Sequence, residues 1–466
     1  MKTIPQTFAI GSVLLAVIAA SATAAEGVPA KWVQVEGLVN DQPSFMIHVD
    51  VDKPDRIYRK GDTMTVAVKA EKECYVYLVY YSGDDATLLF PNKHQQNNLI
   101  PAQTAVSIPG DDAPFLFRTT GPPFGQEVLH VIASTEPIDA VGKLEEGVAF
   151  KSLTNARNLK PMVVEVKKKK LNDWAEARID ITTIDRDEKP PTTGKRVGVC
   201  VGISEYQHDR VQDLQVSHLD AQRMAEAMKQ ECGLDEVLLL TNEDATRANI
   251  EQAIFHDLVA GTRPGDSVFI FFSGHGGRTS DQNGDEEDGY DEYLVPHDGI
   301  LGKPETMILD DTFARWMQEL SGREVAIIMD NCYSGGASKS LDGAVVTPKS
   351  IVAKGAKAVD YDGIEVELKR TKDLGQANTI VVAACKANQL AWEMPASQKG
   401  SVLTHYLIAS LDDSAADADR DGKVTVQESY GYVKQKVETY VKEKFDTDQN
   451  PIIVDNAQRG IVLKGQ

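Results

Sequence analysis

Two short runs in this chain carry the residue types of nucleophilic catalysis. Ser273-Gly274-His275-Gly276-Gly277 follows the apolar run 267–272, and Asp330-Asn331-Cys332-Tyr333-Ser334-Gly335-Gly336 follows the apolar run 325–329. Both apolar runs read as strands. If they are parallel neighbours, His275 and Cys332 leave the sheet at the same edge. A cysteine thiolate beside an imidazole is a nucleophile with its base. The flanking glycines carry no side chains, so a substrate backbone can come close. Backbone N–H groups around Gly276 and Cys332 would then hold an oxyanion. A thiol at the start of a turn or helix also ionises more readily. Taken singly, each residue has a plainer reading, as a buried cysteine or a loop histidine. Their shared setting at strand ends in glycine-rich turns favours the pair.

A second run has the spacing of metal ligands. Residues 417–428 place Asp417, Asp419 and Asp421 at loop positions 1, 3 and 5, Gly422 at 6, Thr425 at 9 and Glu428 at 12. Lys423, at position 7, would ligate through its carbonyl. This is the EF-hand pattern, with hard oxygen donors for calcium. Helix-like runs at 403–411 and 430–444 flank it. A solvated acidic turn is the alternative.

These residues need elements to place them. From residue 196 onward, strand-like and helix-like runs alternate. Strands are expected at 196–203, 236–240, 267–272, 325–329 and 379–384, and helices at 219–232, 248–259 and 311–320. Such alternation predicts an α/β domain with a mostly parallel sheet flanked by helices. Sites of such sheets lie beyond the carboxyl ends of the strands. Residues 26–183 differ. Short β-rich runs at 64–68, 75–79, 87–90, 128–132 and 162–166 are separated by Gly, Pro, Asn and Asp clusters, which predicts an antiparallel sandwich or barrel, taken here as a sandwich-like accessory domain. Between the two parts, 184–195 is polar, contains Pro190-Pro191 and reads as a linker.

The N-terminus reads as an export signal. Lys2 precedes the apolar run 8–20, and Ala22-Thr23-Ala24 is a small-x-small cleavage site. The run is shorter than the ~20 residues that span a bilayer. Residues 1–25 are thus expected to be removed, leaving a periplasmic or extracellular chain with no membrane span. Five cysteines leave at least one thiol unpaired in an exported protein. Cys200 and Cys385 lie in apolar runs and read as core. The 466-residue chain, 42% hydrophobic and 26% charged, is long enough for two or three globular domains, which excludes collagen, coiled coil and wholesale disorder. With 49 basic and 70 acidic residues the net charge is −21, which argues against nucleic acid as a partner and for cations.

The motifs SGHGG and DNCYSGG resemble the His and Cys motifs of caspase-like cysteine peptidases, the metacaspase/orthocaspase branch in particular. The stretch 281–296, VGISEY after the first strand, LDAQRM on the first helix, AACKANQLAWE and GSVLTHYL resemble the same branch. The resemblance spans about 195–466. It implies a caspase-like fold, with large-subunit part 196–338, connecting loop 339–372 and small-subunit part 373–466. It implies a catalytic dyad at Cys332 and His275, and hydrolysis of protein or peptide substrates. The branch cuts after Arg or Lys, and Asp220, Ser273 and Asp330 match its acidic pocket. A carboxylate pair there would give a cationic side chain charge-assisted hydrogen bonds. The resemblance also implies a calcium site near the catalytic loops. Asp291, Asp310 and Asp311 match three of its four aspartates, with Lys339 at the fourth position and Asp342 close by. Asp310 and Asp311 also suit the start of a helix. The chain departs from the branch at Tyr333, where a His is usual, and at Asn331, where a second Cys is common.

The basic loop offers Lys349, Lys354, Lys357, Lys369, Arg370 and Lys372 as candidate self-cleavage positions, with an ordinary exposed loop as the alternative. Residues about 50–137 resemble a bacterial domain of unknown function. The resemblance leans toward a monomer. Two rival readings are an idle caspase-like module and a calcium-binding interaction scaffold.

Overall fold

The computed structural model describes residues 38–465 apart from 41, 84, 140–149, 154–165, 167–168, 193, 282, 284–288, 332–339, 342–343, 346–349, 352–377, 387–388, 395–399 and 414. The export signal, Cys332, Tyr333, Lys339, Asp342, residues 162–165 and the six basic loop positions fall outside the described residues. Among the described residues no helix is long and apolar enough to cross a membrane.

The N-terminal part is a two-sheet β structure. Strands β1 (Ile47–Val51), β3 (Val66–Ala70) and β6 (Val106–Ile108) form a small antiparallel sheet in the order β1-β3-β6. The larger sheet contains β5 (Asp85–Phe90), β4 (Cys74–Ser82), β7 (Gly125–Ser134), β8 (Trp174–Ile184) and β2 (Ile57–Arg59), in that spatial order. Only the β8–β2 pairing among these is parallel. In β1 and β3 buried and half-buried residues alternate, as a strand with one face on a core requires. Ile47, Val49, Val66, Val68, Leu78 and Ile179 meet between the sheets. The other face of the large sheet buries Tyr77, Val79, Tyr81 and Trp174 in a second cluster. This is sandwich-like packing.

The C-terminal part is built on a six-stranded sheet. Its order is β10 (Glu236–Thr241), β9 (Arg196–Gly202), β11 (Ser267–Ser273), β14 (Glu324–Asp330), β15 (Thr379–Ala383) and β17 (Ile452–Asp455). All neighbours run parallel except β17, which closes the edge in the opposite direction. The central strands bury both faces. Val268, Ile270 and Phe272 of β11 face one core, while Phe269 and Phe271 face the other. That explains their continuous apolar runs.

One face is covered by α2 (Arg247–Glu251), the π-helical stretch Gln252–Leu258 and α3 (Asp310–Glu319). The other is covered by α1 (Ser217–Gln230), α4 (Val402–Asp412) and α5 (Val426–Phe445). The expected helix over 248–259 therefore widens into a π turn, which carries Phe255 between the guanidinium groups of Arg178 and Arg315 at 4.8 and 4.6 Å.

A hairpin absent from the sequence reading follows β11: β12 (Gly276–Ser280) and β13 (Tyr290–Leu294) pair antiparallel around the acidic run. Two short strands near the C-terminus, β16 (Val424–Thr425) and β18 (Val462–Lys464), also pair.

Candidate active site

His275 lies between the end of β11 and the start of the β12–β13 hairpin, and is 1% exposed. Its Nε2 is 2.7 Å from the carbonyl oxygen of Gln212. A carbonyl only accepts, so Nε2 carries the proton and Nδ1 is the basic nitrogen. The backbone N–H of His275 donates to the Tyr206 hydroxyl at 2.8 Å, and the two rings lie 5.1 Å apart. Burial pushes the Tyr206 hydroxyl well above its ordinary pKa, so it stays protonated. Val295 N–H donates to the His275 carbonyl at 3.0 Å, closing the hairpin on the imidazole's own residue.

The glycines beside His275 answer to space. A Cβ on Gly277 would stand 2.6 Å from the Tyr293 ring, and one on Gly274 would stand 3.2 Å from both Phe272 and the Tyr206 hydroxyl. Gly276 pairs with Leu294 at the hairpin's open end.

Ser273 and Asp330 are register partners on β11 and β14, and both are fully buried. Cys332 comes two residues after Asp330 in the chain. Asp330 Oδ2 accepts from the Ser401 hydroxyl and, at 2.6 Å, from the Thr404 hydroxyl. Ser401 N–H donates to both oxygens of Asp220 at 3.0 and 3.2 Å. Ser401 thus bridges the two carboxylates, and it also caps α4 by accepting from Thr404 N–H. Ser273 pairs as well with Gly202, whose missing side chain lets Ser217 and Ala221 of α1 pack close. The structure therefore brings Asp220, Ser273 and Asp330 to one end of the sheet. The Arg223 guanidinium approaches Gly400 beside Asp220, which sets one cation of the chain itself at this acidic cluster.

Gln212, Tyr206, Ser401 and Thr404 were not identified from sequence. Gln212 acts through a backbone carbonyl, which has no side-chain signature. The spacing of Ser401 and Thr404 at the start of an apolar helical run was the one available signal.

Asp417, Asp419 and Asp421 each offer a carboxylate oxygen, and these oxygens lie within 4.8 Å of one another. Asp417 accepts from Asp421 and Gly422 N–H groups, and Asp421 from Lys423 N–H, which winds the loop inward. Gly422 has φ +86°, a value that favours glycine at this position. Glu428 Oε1 reaches back to the N–H groups of Ala418 and Asp419, and its Oε2 completes a capping box with Thr425. These hard oxygen donors fit a calcium ion. Among the described residues this is the only such convergence of three or more acidic, His or Cys side chains.

Asp291, Asp310 and Asp311 are buried. Asp310 accepts from Glu292 and Asp311 N–H groups, and Asp311 accepts from the Asn283 amide at 2.6 Å. Both stand in the first turn of α3, where the helix dipole favours them.

The caspase domain model matches residues 195–460. The chain belongs to the caspase-domain family. Its sheet of five parallel strands and one antiparallel edge strand, with helices on both faces, is the caspase domain's α/β fold here. A second model, a domain of unknown function (DUF4384), matches 57–137 in the β-rich part.

The chain is 34% identical over 155 residues to Metacaspase-1 of Pyricularia oryzae, covering 31% of this chain and 38% of that protein. It is 39% identical over 155 residues to Metacaspase-1 of Botryotinia fuckeliana, covering 31% and 36%. The match thus spans less than two-fifths of either relative's length. Among solved structures, Caspase-1 from Spodoptera frugiperda is similar at 13% identity with a TM-score of 0.38, covering 61% of this chain and 96% of that one. Within this caspase domain His275 lies just past the end of β11, which pairs in parallel with β14, the strand that leads to Cys332.

Proposed function

We propose that the chain is an exported cysteine endopeptidase that hydrolyses protein or peptide substrates after Arg or Lys and holds calcium in the 417–428 loop. One observation carries the reading. Ser273 and Asp330 stand side by side on parallel strands, so the segments that lead to His275 and Cys332 leave the sheet together.

In this reading the Cys332 thiol gives its proton to His275 Nδ1, and the thiolate attacks the scissile carbonyl carbon. Gly276 and Cys332 N–H groups hold the oxyanion. The C–N bond breaks as His275 protonates the departing amine. Water then hydrolyses the thioester and regenerates the thiol. Asp220 and Asp330 attract the cationic P1 side chain, with Ser273 beside Asp330 at the strand ends. Asp417, Asp419, Asp421, the Lys423 carbonyl and Glu428 would hold the calcium ion, which supplies loop and helix ordering.

A second reading, an idle module with a structural calcium loop, draws on the engagement of Asp330 and Asp220 by Ser401 and Thr404. Hydrolysis of fluorogenic peptides with Arg, Lys or Asp at P1, with and without calcium, separates the two. Cleavage after Arg or Lys that Cys332→Ala abolishes supports the peptidase. A folded protein that binds calcium and cleaves nothing supports the idle module.

A further inference from the structure

We propose that the N-terminal β domain is a fixed positioning part of the active site, acting through Asn283 and helix α3 on the hairpin that begins beside His275. The catalytic readout of this proposal rests on the peptidase reading above.

The two domains meet where β8 lies against α3. Arg178 Nε is 2.7 Å from Glu319 Oε1, with side-chain exposures of 1% and 3%. Arg323 Nη1 is 3.2 Å from Asp180 Oδ1, again buried. Arg56 Nη2 donates to Ser321 Oγ at 3.0 Å just past the same helix. Met46 packs on Ala314 of α3. Buried pairs of this kind add little net stability after desolvation, but their directions admit one docking geometry. The β domain thus sets the placement of α3.

The other end of α3 meets the catalytic hairpin. Asn283, 4% exposed, lies in the connection between β12 and β13. Its side-chain amide donates to Asp311 Oδ2 of α3 at 2.6 Å and to the Pro43 carbonyl of the β domain at 2.9 Å. Asn172 of the β domain in turn donates to the Asn283 carbonyl at 2.9 Å. One residue therefore ties the hairpin's far end to the helix and to the other domain. At its near end the hairpin starts at Gly276, and Val295 just past it bonds to the His275 carbonyl. A two-stranded ribbon pinned at its tip transmits that placement to its base. Asn283 and Asn172 are positioning residues, and His275 is what they position.

The test uses the full chain with Asn283→Ala and Asn172→Ala. Asn172 is exposed, so its loss leaves the fold intact if Asn283→Ala does not. Two readouts are taken: kcat and KM on an Arg-P1 peptide, and the pH profile of iodoacetamide alkylation at Cys332. The other four cysteines are buried, and mass spectrometry identifies the labelled one. We expect kcat to fall about tenfold for Asn283→Ala with KM nearly unchanged, because small misplacement of a catalytic group is costly. The alkylation profile should move to higher pH as the thiol loses its aligned imidazole. Asn172→Ala should move both readouts the same way by less. Wild-type kcat and an unmoved alkylation profile in folded variants would overturn the proposal. If the wild-type chain cleaves no peptide, the peptidase reading falls, and the alkylation profile decides the positioning claim.

Discussion

His275 Nε2 stands 2.7 Å from the carbonyl oxygen of Gln212, so a backbone group fixes the imidazole's tautomer. Tyr206 completes that support by accepting the His275 N–H.

Tyr206→Phe removes the acceptor and leaves a buried N–H unsatisfied, a loss of about 1–3 kcal/mol. The variant should melt several degrees lower. Its kcat should fall about tenfold with little change in KM, since the imidazole rather than the substrate pocket is loosened. Steady-state kinetics and a thermal melt check both. Unchanged kcat would show that Tyr206 only packs.

The acidic end of the sheet makes a separate prediction. Asp330→Asn keeps the shape and an acceptor for Thr404, but removes the charge. A charge-assisted bond contributes roughly 1.5–3 kcal/mol, so cleavage after Arg should drop on the order of 10- to 100-fold in kcat/KM. Cleavage of the same peptide by Thr404→Val should fall less, because the carboxylate remains. Equal activity of Asp330→Asn and wild type would place the P1 site elsewhere.

Calcium should stabilise the C-terminal region in a defined place. β16 contains loop positions 8 and 9 and pairs with β18, so an ordered loop orders the chain end. At a hundredfold excess over Kd, binding adds about 2.7 kcal/mol. The melting temperature should rise with calcium and return with chelator. Amide exchange at 462–464 should slow. Asp417→Ala with Asp421→Ala should erase both effects, and persistence of either would exclude this loop as the site.

Glu319 gives the interface a pH dependence. Burial raises its pKa to about 7, outweighing the nearby Arg178, while Glu176 adds to the rise. The folded chain then holds a proton that the unfolded chain has released. Stability from this group is full below the ordinary carboxylate range and is lost as pH climbs toward 7. Arg178, Arg315 and Glu176 are the charged groups about it. Glu319→Gln should flatten the fall in melting temperature between pH 5 and 8 relative to wild type. Parallel curves for the two proteins would refute it.

Much of this site could be read along the chain, because some of its determinants are local. The continuous apolar runs ending in SGHGG and DNCYSGG marked β11 and β14, since strands buried on both faces leave no alternation. The 417–428 loop was legible because its carboxylates and glycine sit within twelve consecutive positions and bond to their own backbone. The acidic run 281–289 gave no such sign of a hairpin, as its strands are short and half polar.

Sequence by itself offered the dyad candidates, through residue type at fixed spacing, and the caspase-domain family, with the acidic positions implied by that resemblance. Tertiary structure alone decided what holds them. Ser401 reaches Asp220 across 181 positions and Asp330 across 71, and Arg178 reaches Glu319 across 141. The Gln212 carbonyl meets His275 across 63. Such contacts have no local period, and a backbone carbonyl is the same on every residue, so only the folded chain could select them.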